Sequence, residues 1–267
     1  VAQEEWVVPS GQTRVIDIET VRRLRISLVG GQIDVIGHDD PGTRVEVHSV
    51  RGRDLRITLD GDSLEVDHMR LGWSSLMDIA RFLGPDTARA RISILVPRHT
   101  ALNLGTVTAD VLASGLIGSA RINTVSGEIQ VESHRGDVAA RAVSGEIGVS
   151  DHHGPLHTQT VSGEITASGA ISPFDSETAS GKTFLDITGP AGHIATKTVS
   201  GHSTVRVDGD LGVHYALNSV SGKVSIDGQV GDLRTGQLPG GGETVEITAN
   251  SVSGSLTILR RGTADAS

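Results

Sequence analysis

Cysteine is absent from the sequence, which excludes a disulfide framework and thiolate metal sites. Aromatic residues are nearly absent too: two Trp, one Tyr and three Phe in 267 residues, with only two Met. A core must therefore be built from Val, Ile, Leu and Ala, side chains that suit thin, repetitive interiors better than large globular ones. No apolar run approaches the roughly 18 residues that a bilayer-spanning helix requires. The opening Val1-Ala2-Gln3-Glu4-Glu5 is acidic and lacks the basic-then-apolar pattern of a signal peptide, so a cytoplasmic location, at most peripheral to a membrane, is expected. A net charge of −9 argues against nucleic acid as the partner. Residues 1–98 carry 13 Arg against 15 Asp and Glu, and residues 99–267 carry 10 Lys and Arg against 17, so the second part is the more acidic.

What the sequence does have is a repeated phrase. Thr124-Val125-Ser126-Gly127-Glu128-Ile129 returns as Ala142-Val143-Ser144-Gly145-Glu146-Ile147 and as Thr160-Val161-Ser162-Gly163-Glu164-Ile165. It continues with drift around Gly181, Gly201, Gly222 and Gly254, at steps of 18, 18, 18, 20, 21 and 32 residues. A phrase at fixed short period implies one unit stacked on copies of itself. Val125, Gly127, Ile129 and Val131 alternate with Ser126, Glu128 and Gln130, the period-two pattern of a strand with one buried face. Gly136-Asp137-Val138 echoes the phrase half a period later, giving two short strands per repeat. The expected fold is all-β: a parallel β-solenoid (β-helix) of about 18–21 residues per coil. The glycines at 127, 145, 163, 181, 201, 222 and 254 are read as structural, allowing a tight bend or close approach of adjacent coils. The serines preceding them form a hydroxyl ladder, able to bond to each other and to backbone, and are not nucleophiles, since no base stands at fixed spacing beside them.

Upstream, short strands are expected over 14–18, 23–28, 32–36, 44–49, 55–59, 63–66 and 91–96, separated by turns at Gly30-Gly31, Asp39-Asp40-Pro41-Gly42 and Asp60-Gly61-Asp62. This part is either an irregular first layer of the same solenoid or a separate β-sandwich. Between them the period changes to 3.6: Trp73, Leu76, Met77, Ala80 and Leu83 share one face, predicting a short amphipathic helix over about 73–83. With Phe82 it forms the candidate interaction helix (Trp73, Leu76, Met77, Phe82), or else a lid. The expected organisation is an N-terminal β layer with the inserted helix at 1–98, regular repeats at 99–262 and a polar tail at 263–267, as one continuous domain.

Chemistry-bearing candidates are few. Glu128, Glu146 and Glu164 share one outward repeat position, continued by Lys182, His202 and Lys223, and carboxylates so close on neighbouring strands repel unless solvent or a cation intervenes. His152-His153 with His157 is the densest histidine group, but Gly154-Pro155 marks a turn and neighbouring residues point to opposite faces, so these are expected as exposed turn histidines. His38-Asp39-Asp40 sits in another turn. There is no phosphate-binding glycine loop, no His-Glu-x-x-His and no nucleophile elbow. No cofactor, metal site or catalytic residue is assigned.

The Val-Ser-Gly-Glu/Lys-Ile/Val phrase, with Gly30-Gly31-Gln32-Ile33-Asp34-Val35 and Ile92-Ser93-Ile94-Leu95-Val96-Pro97, resembles the bacterial adhesin-like family of β-solenoid proteins of unknown function, over roughly residues 14–261. That resemblance implies adhesion or a link to the cell-envelope stress response, and implies no catalytic residues. The function expected is a non-enzymatic scaffold or binding module whose partner is a protein or envelope component. Two rivals are a carbohydrate-active β-helix enzyme using outward carboxylates and a structural protein that self-assembles through its ends or its helix.

Overall fold

A computed structural model of the chain describes residues 3–68, 88–189, 192–231 and 234–262. The helix expected over 73–83, with Trp73, Leu76, Met77 and Phe82, lies outside them. Every regular element among the described residues is a strand, 22 in all. The chain divides into two compact units, Val1–Arg135 and Gly136–Ser267.

The first unit is organised by β3 (Arg23–His38), sixteen residues in which apolar side chains alternate inward. It runs straight through Gly30-Gly31, where a turn is expected from the sequence. Gly31 has φ +119°, and a β-carbon there would lie 1.9 Å from the Ala90 carbonyl oxygen, so only glycine carries the strand past its neighbour. Both halves of β3 pair in parallel with β8 (Ala101–Ser114). On its other edge, Arg23–Ser27 pairs in parallel with β6 (Ser63–Asp67) and Gly30–His38 with β7 (Arg89–Pro97). Outside those, the ladders become antiparallel. β5 (Leu55–Asp60) joins β6, and β1 (Gln3–Val8) joins β5. Likewise β4 (Thr43–Arg51) joins β7, and β2 (Arg14–Ile18) joins β4. On the far edge of β8 stand β9 (Ala120–Thr124) and β10 (Ile129–Glu132), both parallel. Leu24, Ile26, Ile33, Ile57, Leu64, Ile92, Ile94 and Leu104 fill the interior at 0–1 % exposure.

In the second unit the repeats supply two parallel stacks. One holds β11 (Val138–Ala142), the end of β12 (Ile147–Thr160), the end of β13 (Glu164–Thr178), β15 (His193–Thr198), β21 (Thr244–Ser251) and β17 (Gly212–Ser219), in that order. The other holds the start of β12, the start of β13, β14 (Lys182–Ile187), β16 (His202–Val207), β22 (Leu256–Arg260) and β18 (Val224–Ile226). The last repeat, β21 and β22, is thus inserted between two earlier ones. Each stack then closes with an antiparallel strand: β19 (Gln229–Gly231) on β18 and β20 (Thr235–Leu238) on β17.

The uniform parallel β-solenoid is therefore corrected: stacking does not follow chain order, and both units carry antiparallel strands. Connection length explains two of the antiparallel pairs. Gly61-Asp62 joins β5 to β6 and Asp227-Gly228 joins β18 to β19, and two residues can only reverse a strand, whereas a parallel return needs a dozen or more. Asp227 and Gly228 both have positive φ (48° and 80°), as the tight hairpin turn demands.

The alternation expected within the repeat also needs adjustment. Ile129, Val131, Ile147 and Ile165 are buried, but the valine preceding each Ser-Gly lies on an outer bend, and Val161 is 53 % and Val220 81 % exposed. Val125 is an exception, packing partly against Val29, Ala88 and Val107. The residue that turns inward instead is the hydroxyl two positions before the serine. Its oxygen accepts the glycine N–H at Thr124–Gly127 (3.0 Å), Thr198–Gly201 (2.9 Å), Ser219–Gly222 (2.9 Å) and Ser251–Gly254 (2.7 Å). The bend is thereby closed by a local side-chain cap.

Candidate functional site

A cleft of about 300 Å³ opens in the first unit, lined by Arg25, Ser27, Glu65, Asn103, Gly105 and Asn123 over the backbone of Ile26. Register assembles it. Arg25 on β3 stands between Glu65 on β6 and Asn103 on β8, while Ser27 faces Gly105, which faces Asn123 on β9. Gly105, with no side chain, leaves the depression between Ser27 and Asn123. Four adjacent strands thus present a guanidinium, a carboxylate, two carboxamides and a hydroxyl toward one space, a mixed donor and acceptor surface. These residues are scattered from 25 to 123 in the sequence and no local motif joins them, which is why sequence reasoning passed over them.

The outward row predicted from the repeats is distributed as follows. Glu128 lies in the first unit, where its backbone N–H donates to Asp110 Oδ1 (3.0 Å) and its Oε1 accepts from Gln130 Nε2 (2.6 Å). Glu146 and Glu164 lie in the second unit, each preceding one of the paired residues Ile147 and Ile165. Glu164 faces Lys182, and Lys182 faces His202. The inserted repeat then interposes Ser255, whose Oγ is 2.9 Å from His202 Nδ1, before Lys223. The row is mixed in charge beyond Glu164 rather than a run of carboxylates.

The repeat glycines share one geometry. A β-carbon on Gly163, Gly181, Gly201, Gly254 or Gly222 would fall 1.6–2.2 Å from a carbonyl oxygen of the neighbouring repeat's glycine, and on Gly127, 2.0 Å from that of Ala109. None of these has positive φ, so close approach, not bending, selects glycine. Hydroxyls of the serines beside them donate to backbone: Ser126 Oγ to Val107 O at 3.4 Å, Ser221 Oγ to Val252 O at 3.3 Å and Ser253 Oγ to Val199 O at 3.4 Å.

Of the histidines, His152 is fully buried and its Nε2 lies 3.0 Å from the Pro155 carbonyl, contrary to the exposed turn expected; Gly154-Pro155 is an irregularity inside β12, not its end. His153 faces Asp151 (3.4 Å) and His157 faces Asp175 (3.2 Å), so the three do not converge. Asp39 is held by Arg98, Nε to Oδ1 at 2.6 Å, and this guanidinium keeps its carboxyl below the usual carboxylate range. Among the described residues no three side chains stand together at metal-coordinating geometry.

An ion network fixes the inserted repeat. Arg260, ending β22, donates from Nε to Asp227 Oδ2 (2.7 Å) on the outer neighbour. Arg261 bonds Asp186 and Asp208 on the inner side, and Arg206 also bonds Asp186. The hydrogen bond from Arg206 is the main cause holding the Asp186 carboxyl below its ordinary value, against the opposing effect of burial.

An all-β chain of parallel strand stacks with antiparallel ends, holding a polar cleft and closely apposed repeat glycines, defines a recognisable fold class. The sequence matches the model of the family described as Toastrack DUF4097 over residues 21–265, and the chain belongs to that family. Among solved structures it is similar to a candidate lipid-binding protein from Parabacteroides distasonis (TM-score 0.55, 14% identity, covering 94% of this chain and 98% of that one). It is similar also to a candidate adhesin from the same organism (TM-score 0.52, 13% identity, 93% and 96% covered). At such identity these likenesses establish the fold alone. No curated protein matches the sequence. No helix among the described residues is long and apolar enough to cross a membrane.

Proposed function

We propose that the protein is a non-catalytic, adhesin-type binding module whose cleft in the first unit takes a hydroxyl-rich ligand, a saccharide of the bacterial cell envelope. The cleft carries this reading. Arg25 and Glu65 offer a donor and an acceptor of opposite charge, Asn103 and Asn123 offer both functions from one planar group, and Ser27 adds a hydroxyl, a set suited to vicinal hydroxyls. Strands hold these groups at fixed spacing, so little ordering is needed on binding. A lipid tail would call for an apolar wall, which this lining does not offer.

Titration calorimetry with a panel of soluble oligosaccharides, set beside liposomes of neutral and anionic lipid, tests the reading. Saccharide binding that weakens by about tenfold or more in Arg25→Ala and Asn103→Ala is the expected result, equivalent to at least about 1.4 kcal/mol. Binding to liposomes alone, or saccharide binding indifferent to both substitutions, would overturn it.

A further inference from the structure

We infer that the cleft takes an anionic saccharide, one oxyanion of which, a carboxylate or a phosphate, is seated over Asn103 between the guanidiniums of Arg25 and Arg121. The inference rests on the saccharide reading of the cleft and adds to it the charge of the ligand and the direction in which it lies. Register carries the placement. Arg121 on β9 is paired with Asn103 on β8, and Asn103 with Arg25 on β3, so the three stand side by side on adjacent parallel strands. Each is exposed between two buried neighbours, Ala120 and Ile122 for Arg121, Leu102 and Leu104 for Asn103, and Leu24 and Ile26 for Arg25. All three side chains therefore share the outer face of the sheet. Two strand steps of about 4.8 Å separate the arginines, a gap that long side chains close upon one oxyanion, and the Asn103 carboxamide adds a donor between them.

The pairing of charges on this face singles out the two cations. Arg56 is held by Glu5 at 3.3 Å, and Arg23 is held by Asp62. Arg25 and Arg121 have no ion pair among the described residues, although Glu65 neighbours Arg25 in register and the chain carries 32 acidic against 23 basic side chains. Like charges so close repel, and a bound oxyanion removes that cost. Glu65, on the opposite side of Arg25, repels an anion and accepts from hydroxyls. The ligand thus lies with its acidic group toward β9 and its hydroxyls toward β6.

Titration calorimetry of the full chain tests this with matched pairs: a galacturonate trisaccharide against its uncharged methyl ester, and a phosphorylated maltotriose against maltotriose. The expected result is an affinity at least about tenfold higher for the charged member of one pair or both. That preference should fall away in about 0.5 M NaCl and in Arg121→Gln, while binding of the neutral member stays as it was. Arg121 is exposed, so the variant should melt with the parent. Arg91→Gln, which removes an equal charge from an exposed position on β7, should keep the preference. Equal affinity for charged and neutral members, or a preference that survives in Arg25→Gln/Arg121→Gln, would overturn the inference and leave the saccharide reading in place. Binding of neither member of either pair would overturn both.

Discussion

The carbonyl oxygen of Gly201 lies 1.6 Å from the point where a β-carbon on Gly254 would stand, although all of β16 to β21 separates the two in sequence. A β-carbon on Gly222 would in turn stand 1.7 Å from the carbonyl oxygen of Gly254. Gly254→Ala therefore forces the inserted repeat away from Gly201 and should cost about 3 kcal/mol, the upper part of the range for overpacked interiors. Gly241→Ala, in open space and without positive φ, should be neutral or slightly stabilising. Urea denaturation of both variants checks the contrast.

Arg261 reaches Asp186 and Asp208 while its neighbour Arg260 reaches Asp227, so the end of the inserted repeat is held from both sides. Asp186→Asn should destabilise the second unit by about 2 kcal/mol, because two guanidinium groups lose a half-buried acceptor. The Asp186 carboxyl titrates below its unfolded value, so its contribution is complete above about pH 5 and disappears as pH falls below about 4. A pH series of denaturation midpoints for parent and Asp186→Asn should converge in that acid range.

Thr158, Ser176 and Thr196 face the interior in one column of paired positions, and none of their hydroxyls has a hydrogen-bond partner. Replacing a buried unpaired hydroxyl by a methyl of similar shape removes a desolvation penalty. Thr196→Val should raise stability by about 1 kcal/mol, read from the shift of the denaturation midpoint at unchanged slope.

His68 is buried with both ring nitrogens unpartnered, and burial, assisted by Arg53, pushes its pKa down to about 4. The unfolded chain takes up a proton near pH 6.5 that the folded chain refuses until about pH 4, so stability falls as pH drops through that interval. The loss amounts to about 3 kcal/mol. His68→Leu should flatten the curve between pH 6.5 and 4 while leaving the Asp186 effect below pH 4 in place, a separation that a pH series of melts resolves.

Strand positions were legible because alternation is a local property: Arg14–Ile18, Leu55–Asp60 and Ser63–Asp67 follow the period-two pattern to within a residue. The order of stacking was not. Near-identical repeats are interchangeable as neighbours, so the phrase around Gly254 says nothing about whether it follows Gly222 or precedes it, and the 32-residue step was the one trace of the insertion. Asp227-Gly228 between Val224-Ser225-Ile226 and Gln229-Val230 carried a readable hairpin signal that the repeat pattern masked. The outward valines were misread because alternation was extended through a bend that the preceding hydroxyl closes. Arg25, Glu65, Asn103 and Asn123 meet only through pairing across distant strands, which no window of sequence contains.

The insertion of the last repeat is the feature on which the ion clamp depends, and a chain without cysteine offers a direct test. Val199, Val220 and Val252 occupy equivalent exposed bends, with Val252 between the other two. Three double variants would be oxidised and their cross-linking followed: Val199→Cys/Val252→Cys, Val252→Cys/Val220→Cys and Val199→Cys/Val220→Cys. Adjacent strands at about 4.8 Å fall within the separation a disulfide bridges, and strands two steps apart do not. The account predicts rapid cross-linking in the first two and none in the third. Cross-linking of Val199→Cys/Val220→Cys, with neither pair involving position 252 reacting, would mean that the repeats stack in chain order and would contradict it.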